Sequence, residues 1–301
     1  MSRTKTTESF YRSVAQSLLA GCPDWRQDPM QAVRHIESLR ATRAWSVSTW
    51  RIYRAALSWF LAESGFPEAA DLILHVAQGA RRQGNPRLAQ KKQKSLPASD
   101  LLALDRDIAA RRTRYADVAR LWLWAGVLTG LRPGEWRETA LSADGLTLIV
   151  RNAKHSNGRA NGSHRHLHLD AMSPDERAAI ARMVDLSAAT DNFTRLYHRV
   201  RKIVRESAKR CWPQRLRRPS LYSARHQWAA NAKRVYSKRV VAALAGHASE
   251  ATAGIHYARR QKGEPANLPQ AEPQDLERVR RADPAHPFPG SKPAARDRHA
   301  D

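Results

Sequence analysis

One stretch of the chain, YADVARLWLWAGVLTG (115–130), constrains the fold more than any other. Its apolar residues fall on nearly every side of a helical projection, and Gly130 is a residue type that ends helices. A helix that is apolar all round has to be buried, so other elements must surround it. The sequence therefore predicts a domain built around this central helix.

The first 80 residues predict a separate, compact domain of four short amphipathic helices. Apolar residues recur there at three- and four-residue spacing, and Pro67 opens the fourth helix. Arg51 and Arg54 lie off the apolar stripe of the third helix and are candidate DNA contacts. We expect the aromatic residues of the stripes in the core. The stripe residues are Phe10, Val14, Leu18, Met30, Val33, Ile36, Leu39, Trp50, Tyr53, Leu57 and Phe60.

Residues 81–97 predict a linker, because they show no apolar periodicity and are rich in cations. One interpretation is a solvated hinge. The other is a basic strap that lies on phosphates between two domains clamping a duplex, and the density of cations favours it. The cations of this segment are Arg81, Arg82, Arg87, Lys91, Lys92 and Lys94.

The charge of the whole chain indicates a polyanionic partner. Lys and Arg number 52 against 28 Asp and Glu, a formal net charge of +24, and double-stranded DNA is the obvious polyanion. No run of about 18 apolar residues is present and the N-terminus lacks a signal-peptide core, so we expect a cytoplasmic protein without a membrane segment. Cys22 and Cys211 form no CxxC pair, so neither a disulfide framework nor a zinc site is predicted.

The one strand signal predicts a β-hairpin. GLTLIV (145–150) is apolar and β-branched, and HLHL (166–169) alternates with period two. The connection between them contains two Asn-Gly pairs and many cations, among them Arg159, a candidate DNA contact. Lys154 leaves the first strand. A lysine there is either a general acid or a plain phosphate contact.

Arg132 stands at the end of the buried central helix, in LRPGEW, and Pro133 begins a new turn behind it. Arg132 and Glu135 are three residues apart, so the carboxylate is placed to hold the guanidinium. This arginine is either a structural ion pair or a functional group.

The segment 221–260 carries the residue types that a phosphodiester transesterification needs. Tyr222 and Arg225 share a helix face, and the next helix runs from Ser237 to Gly246, which puts His247 at a helix end. An arginine neutralises a phosphate, a histidine donates a hydrogen bond to it, and a tyrosine supplies the attacking oxygen. Tyr257 follows in the next predicted helix.

Four blocks in order, TGLRPGEW, NAKHSNGRANG, YSARH, and LAGH followed by HY, resemble the signature of the tyrosine recombinase (phage integrase) family. The resemblance covers about residues 98–260, and the N-terminal helices resemble that family's core-binding domain. It implies a mainly α fold with a small β-hairpin or sheet (α+β). The expected domains are a core-binding domain (1–80), the linker (81–97) and a catalytic domain (98–262). The proline, alanine and charge content of the tail (263–301) predicts disorder there.

The resemblance also implies roles for single residues. Arg132 and Arg225 match the two catalytic arginines, with Glu135 as the acidic support of the first. Lys154 matches the hairpin lysine, His247 the second-histidine position, and Tyr257 the nucleophile.

Tyr222 departs from the family pattern, which most often has a histidine there. A phenol can donate a hydrogen bond to a phosphate oxygen, but it cannot carry positive charge near neutral pH, which weakens any proton-shuttling role. Tyr222 is also a second candidate nucleophile, although the position of Tyr257 after the GH block matches better.

The implied activity is site-specific recombination of DNA through a 3′-phosphotyrosyl intermediate, without metal, ATP or another cofactor. Integration, excision and resolution of a DNA element remain open. So do a type IB topoisomerase-like activity, a DNA-binding regulator with an inactive site, and a general basic nucleic-acid binder. The resemblance further implies a homo-tetramer on two duplexes, and DLERVRRA in the tail is a candidate helix for linking protomers.

Overall fold

A computed structural model describes residues 4–43, 45–76, 93–153, 155, 160–252, 257 and 259–281. The chain divides into two compact units, residues 1–88 and 89–301. Most of the predicted linker and the hairpin tip fall outside the described residues. The described part is mainly α-helical with one small antiparallel sheet, which confirms the predicted fold class.

The first unit contains the four predicted helices, α1 (Lys5–Leu19), α2 (Pro29–Thr42), α3 (Val47–Glu63) and α4 (Pro67–His75). Side chains cap α2 and α3, since Asp28 accepts from the Met30 N–H and Ser46 from the Thr49 N–H. Trp50 and other stripe residues are buried as predicted. Phe10 is not, because α1 turns Ala15, Leu18 and Leu19 to the core and leaves Phe10 51% exposed.

The second unit is arranged around α6 (Ala116–Thr129), the predicted central helix. It contacts α5 (Ala98–Ala109), α7 (Pro174–Ala188), α8 (Phe193–Cys211) and α9 (Leu221–Val235). Trp122 and Leu123 are buried in this core. Trp124 is partly exposed, and its indole N–H donates to Asp105 on α5 at 3.0 Å. Arg120, four residues before Trp124, also donates to Asp105 at 2.9 Å, so the central helix has one polar edge.

The predicted hairpin is present as β2 (Thr147–Arg151) and β3 (His164–His168), paired antiparallel with Val150 opposite Arg165. Two strands were not predicted: β1 (Thr139–Leu141) pairs with β2, and β4 (Gln270–Ala271) with β3. Leu148, Val150, Arg165 and Leu167 are all buried, so the inward face of this sheet carries one charged residue.

The prediction of disorder from residue 263 is wrong over residues 263–281. Strand β4 leads into α11 (Pro273–Glu277), which contacts α10 (Lys238–Leu244). Buried Leu268 and Val279 anchor this segment, and the buried Asp275 carboxylate accepts from the His166 backbone N–H at 2.7 Å. These contacts stabilise a segment whose proline and charge content is typical of disorder. In this protein the described part of DLERVRRA packs on its own chain.

Among the described residues, no helix combines the length and the apolarity needed to cross a membrane. Cys22 and Cys211 are both free cysteines.

Candidate active site

Arg132 lies immediately after α6, where Gly130 turns the chain. Gly130 has φ 67°, and a Cβ atom there would overlap the Trp228 ring, so both backbone and space require glycine. The Arg132 backbone N–H donates to Glu135 Oε2 at 2.7 Å, and its Nη1 donates to Oε1 at 2.5 Å. The contact expected from the sequence spacing is therefore present.

Arg165 is a part of this cluster that sequence reasoning missed. The side chain is fully buried on the inward face of β3. Its Nη2 donates to Glu135 Oε2 at 2.8 Å, its Nη1 to Asn152 Oδ1 at 2.5 Å, and its Nε to the Leu244 carbonyl at 2.9 Å. The signal was available in the alternation Arg165, Leu167, Leu169, which places the arginine on the apolar face.

Three guanidinium groups surround the single carboxylate of Glu135. Besides Arg132 and Arg165, Arg225 Nη1 lies 3.7 Å from Glu135 Oε2. Burial raises the pKa of Glu135, but the three arginines outweigh burial and hold that pKa far below its usual value. The cluster therefore contains an ionised carboxylate and an excess of two buried positive charges, which favours an anion beside it.

Arg225 lies on α9 and is fully buried. Its Nη1 donates to the Gly130 carbonyl at 2.5 Å and its Nη2 to the Ala245 carbonyl at 2.7 Å. Its Nε donates to the Tyr257 hydroxyl at 2.8 Å. The ends of α6 and α10 thus fix the guanidinium, and the guanidinium fixes the tyrosine oxygen.

His247 follows α10, whose N-terminus is capped by Ser237, as predicted. Gly246 turns the chain with φ 66°, and a Cβ atom there would overlap Asn152. His247 Nε2 lies 3.1 Å from the Tyr257 hydroxyl. Burial and the nearby arginines lower the pKa of His247 to about 2, so the imidazole is neutral and has one N–H to donate.

Tyr257 is buried at the centre of this group of side chains. Tyr222 lies nearby on α9 and is only partly buried. The His226 ring lies between the two tyrosines, with ring centroids 5.3 Å from Tyr222 and 5.3 Å from Tyr257. His226 is a second residue that the sequence reasoning passed over, although it adjoins Arg225.

The structure thus brings six of the predicted residues together, and a seventh falls outside the described residues. Lys154 is that residue, but its neighbour Ala153 lies beside the cluster, with its N–H 3.5 Å from Glu135 Oε1. The predicted DNA contacts Arg81, Arg82, Arg87, Lys91, Lys92 and Arg159 also lie outside the described residues. The six residues brought together are Arg132, Glu135, Tyr222, Arg225, His247 and Tyr257.

Three predicted DNA contacts are among the described residues. Arg51 and Lys94 are exposed. Arg54 donates to the Leu74 carbonyl at 3.0 Å, which ties α3 to the end of α4. The structure gives Arg54 a role within the first unit.

A cationic cleft borders the cluster at Tyr222. It has a volume of about 570 Å³ and runs between α8 and the start of α9. Among the described residues of its lining, Glu206 is the acidic one. The cations of the cleft are Arg201, Arg205, Lys209 and Arg218.

The arrangement has the parts of a phosphoryl-transfer site: guanidinium groups fixed in place, a neutral imidazole and a tyrosine oxygen among them. No group of His, Cys, Asp and Glu residues in the described part of the chain is arranged to hold a metal ion. The geometry supports nucleophilic attack on a phosphate by one tyrosine, with arginines stabilising the added charge.

The fold is similar to that of solved lambda integrase structures. A lambda integrase tetramer bound to a Holliday junction matches with a TM-score of 0.58 and 17% identity, covering 88% of this chain and 75% of that one. A lambda integrase dimer bound to a COC′ core site matches with a TM-score of 0.57 and 14% identity at the same coverage. No family model and no curated protein matches the chain. The chain therefore has a tyrosine recombinase fold.

Proposed function

We propose that this chain, which has a tyrosine recombinase fold, is a site-specific DNA recombinase that cuts and rejoins DNA through a 3′-phosphotyrosyl intermediate. One observation carries the proposal: the Tyr257 hydroxyl lies within hydrogen-bonding distance of both Arg225 and His247, beside Arg132. A merely DNA-binding relative of this fold has no need to bury these groups around one phenol.

The reaction follows from those positions. The Tyr257 hydroxyl releases its proton to solvent, its oxygen attacks the scissile phosphorus, a new P–O bond forms, and the bond to the 5′-oxygen breaks. Arg132 and Arg225 stabilise the charge of the pentavalent transition state, and His247 donates a hydrogen bond to a non-bridging oxygen. We assign the protonation of the leaving 5′-oxygen to Lys154. The 5′-hydroxyl of a partner duplex then reverses the step, so bond energy is conserved.

The partner in this proposal is double-stranded DNA. The cleft along α8 opens beside Tyr222 and carries four cations, which suits the phosphates that flank a scissile phosphate. The neighbouring structures include a tetramer of lambda integrase on a Holliday junction. We propose by analogy that this chain also acts as a homo-tetramer on two duplexes, in the integration, excision or resolution of a mobile element.

A suicide-substrate experiment tests the proposal. Duplexes that the protein binds are first selected from a random library, then nicked near each candidate position and incubated with protein in EDTA. We expect an SDS-stable protein–DNA adduct with the wild type and none with Tyr257→Phe. Tyr236→Phe is the control, because it removes a phenol that follows helix α9 and donates to the Leu268 carbonyl, away from the cluster. Absence of an adduct on a tightly bound duplex contradicts the proposal.

A further inference from the structure

Arg165 contacts three segments of the candidate site at once. Its Nη1 and Nη2 bind the Glu135 carboxylate at 3.3 and 2.8 Å, Nη1 also donates to Asn152, and Nε donates to a carbonyl at the end of α10. We propose that Arg165 is a positioning residue of the recombination reaction, which fixes Arg132 and His247 relative to each other. The inference rests on the proposed function for what those two residues do.

The contact with Glu135 determines where Arg132 lies. Arg165 places two nitrogens against the two oxygens of the carboxylate, and this forked geometry fixes both the position and the rotation of a carboxylate. The same two oxygens accept from the backbone N–H and from Nη1 of Arg132, at 2.7 and 2.5 Å. Without the fork the carboxylate would be free to rotate, and Arg132 would lose its fixed orientation.

The end of α10 is fixed by arginine side chains. The last carbonyl groups of a helix have no partner within it. Arg165 Nε donates to the carbonyl of Leu244 at 2.9 Å, and Arg225 Nη2 donates to the next carbonyl along the chain at 2.7 Å. His247 follows two residues later, and its Nε2 lies 3.1 Å from the Tyr257 hydroxyl. Arg165 therefore helps to place the imidazole as well.

The turn after α10 packs directly on the third contact of Arg165. A Cβ atom at Gly246 would lie 2.3 Å from Asn152 Oδ1 and 2.8 Å from Arg165 Nη1. Asn152 in turn donates to Asn161 at 3.1 Å and to the Gly162 carbonyl at 3.0 Å, which joins β2 to the residues before β3. The guanidinium is thus held by the sheet and by the turn together.

Burial separates Arg165 from the residues that act on the phosphate. Its side chain is 0% exposed, whereas 11% of the Arg132 side chain is exposed. Each of its three nitrogens already donates to a protein acceptor. Arg165 therefore acts through Glu135 and α10, and its loss should lower the rate of the reaction more than the affinity for DNA.

Arg165→Lys separates positioning from charge. Lysine keeps a positive charge beside Glu135, but its single nitrogen cannot form the fork and also reach the Leu244 carbonyl. We expect the single-turnover rate of adduct formation at saturating DNA to fall by about 10²-fold. Arg151→Lys is the matched control, because Arg151 lies on the neighbouring strand β2 in an exposed ion pair with Glu138, and it should keep the wild-type rate. A wild-type rate in Arg165→Lys overturns the inference.

A neutral substrate analogue tests whether Arg165 acts through the groups that face the phosphate. A methyl group in place of one non-bridging oxygen of the scissile phosphate removes a negative charge, so less charge has to be stabilised in the transition state. The loss of rate in Arg165→Lys should shrink to less than about tenfold on this substrate. An undiminished loss would mean that Arg165 only maintains the fold, and would overturn the inference.

Hydrogen exchange of the Arg132 backbone N–H tests the positioning without DNA. Because this N–H donates to Glu135, it should exchange about tenfold faster in Arg165→Lys. The Gly130 N–H, which donates to the Gly126 carbonyl at 3.0 Å, should not change. Faster exchange at Arg132 in the variant, together with no adduct in the wild type, would overturn the proposed function and keep the positioning. Unchanged exchange, with an adduct in the wild type, would overturn the inference alone.

Asn152→Ser is a second variant for the case that Arg165→Lys does not fold. It leaves the charge of Arg165 in place and removes the acceptor of one Nη1 hydrogen bond. We expect a slower rate of adduct formation and faster exchange of the Arg132 N–H, each by a smaller factor than in Arg165→Lys. An Asn152→Ser protein that equals the wild type in both measurements overturns the inference.

Discussion

Two groups of arginines lie within the second unit, and they differ in what holds them. Arg132, Arg165 and Arg225 are buried and fixed by Glu135 and by backbone carbonyls. Arg201 and Arg205 line the α8 cleft and are exposed to solvent. Arginine side chains are thus rigid parts of a site in the first group and solvated charges in the second.

The difference sets the size of the effect that a substitution should have. A buried charge is costly to desolvate, so removing one partner leaves another charge without compensation. An exposed charge is screened by salt, and its contribution is small and nearly independent of its neighbours. Substitutions in the buried cluster should therefore act on folding or on the chemical step. Those in the cleft should act on binding.

The largest expected effect is that of Glu135→Gln. Glutamine has the shape of the side chain but no charge, so three buried arginines lose their shared counter-ion. We expect the free energy of unfolding to fall by about 3–5 kcal/mol in urea denaturation at neutral pH. Glu138→Gln is the control, since Glu138 forms an exposed ion pair with Arg151, and it should cost less than about 1 kcal/mol.

The difference in free energy of unfolding between wild type and Glu135→Gln should depend on pH with a definite sign. The pKa of Glu135 is lowered in the folded state, so its contribution to stability is fully present above its unfolded pKa of about 4.3. It is lost as pH falls through the folded pKa. The gap between wild type and Glu135→Gln should therefore be constant from neutral pH down to about 5 and narrow below about 4. A gap that widens in acid contradicts the ion-pair account.

Arg225→Lys should have the next largest effect, on the chemical step. Lysine keeps the charge but cannot donate at once to Gly130, Ala245 and Tyr257. We expect the single-turnover rate of adduct formation at saturating DNA to fall by about 10²–10³-fold, with DNA affinity changed only a few-fold. Arg234→Lys is the control on the same helix, because Arg234 also donates to a backbone carbonyl, that of Gly263. An equal fall in the rate of adduct formation in both variants would argue against a special role for Arg225.

The parts of the fold that the sequence predicted depend on local patterns. The central helix α6, the hairpin of β2 and β3, and the helix end before His247 all show apolar periodicity with a cap or a glycine nearby. The predicted pair of Arg132 and Glu135 is present, because two residues spaced three apart lie on the same side of a helical turn. Local spacing is enough in each of these cases.

The parts that were missed depend on contacts between distant segments. Arg165 binds Glu135, 30 residues earlier in the chain, and Leu244, 79 residues later. Asp275 binds His166 over 109 residues, and this contact helps to order a segment of disordered composition. Tyr222 and Tyr257 both pack against the His226 ring because α9 and the segment after α10 come together. A local sequence pattern cannot indicate contacts between residues this far apart in the chain.

The smallest expected effect is that of single substitutions in the α8 cleft. If Arg201 contacts one phosphate through solvent-exposed charge, Arg201→Ala should weaken binding to all duplexes alike and reduce the slope of log K against log salt by about one. The rate of adduct formation at saturating DNA should not change. Arg182→Ala is the control, since Arg182 is exposed on α7 and is not part of the cleft lining. A lowered rate at saturating DNA would show that the cleft positions the scissile phosphate. The distinction between buried arginines that act on chemistry and exposed arginines that act on binding would then be wrong.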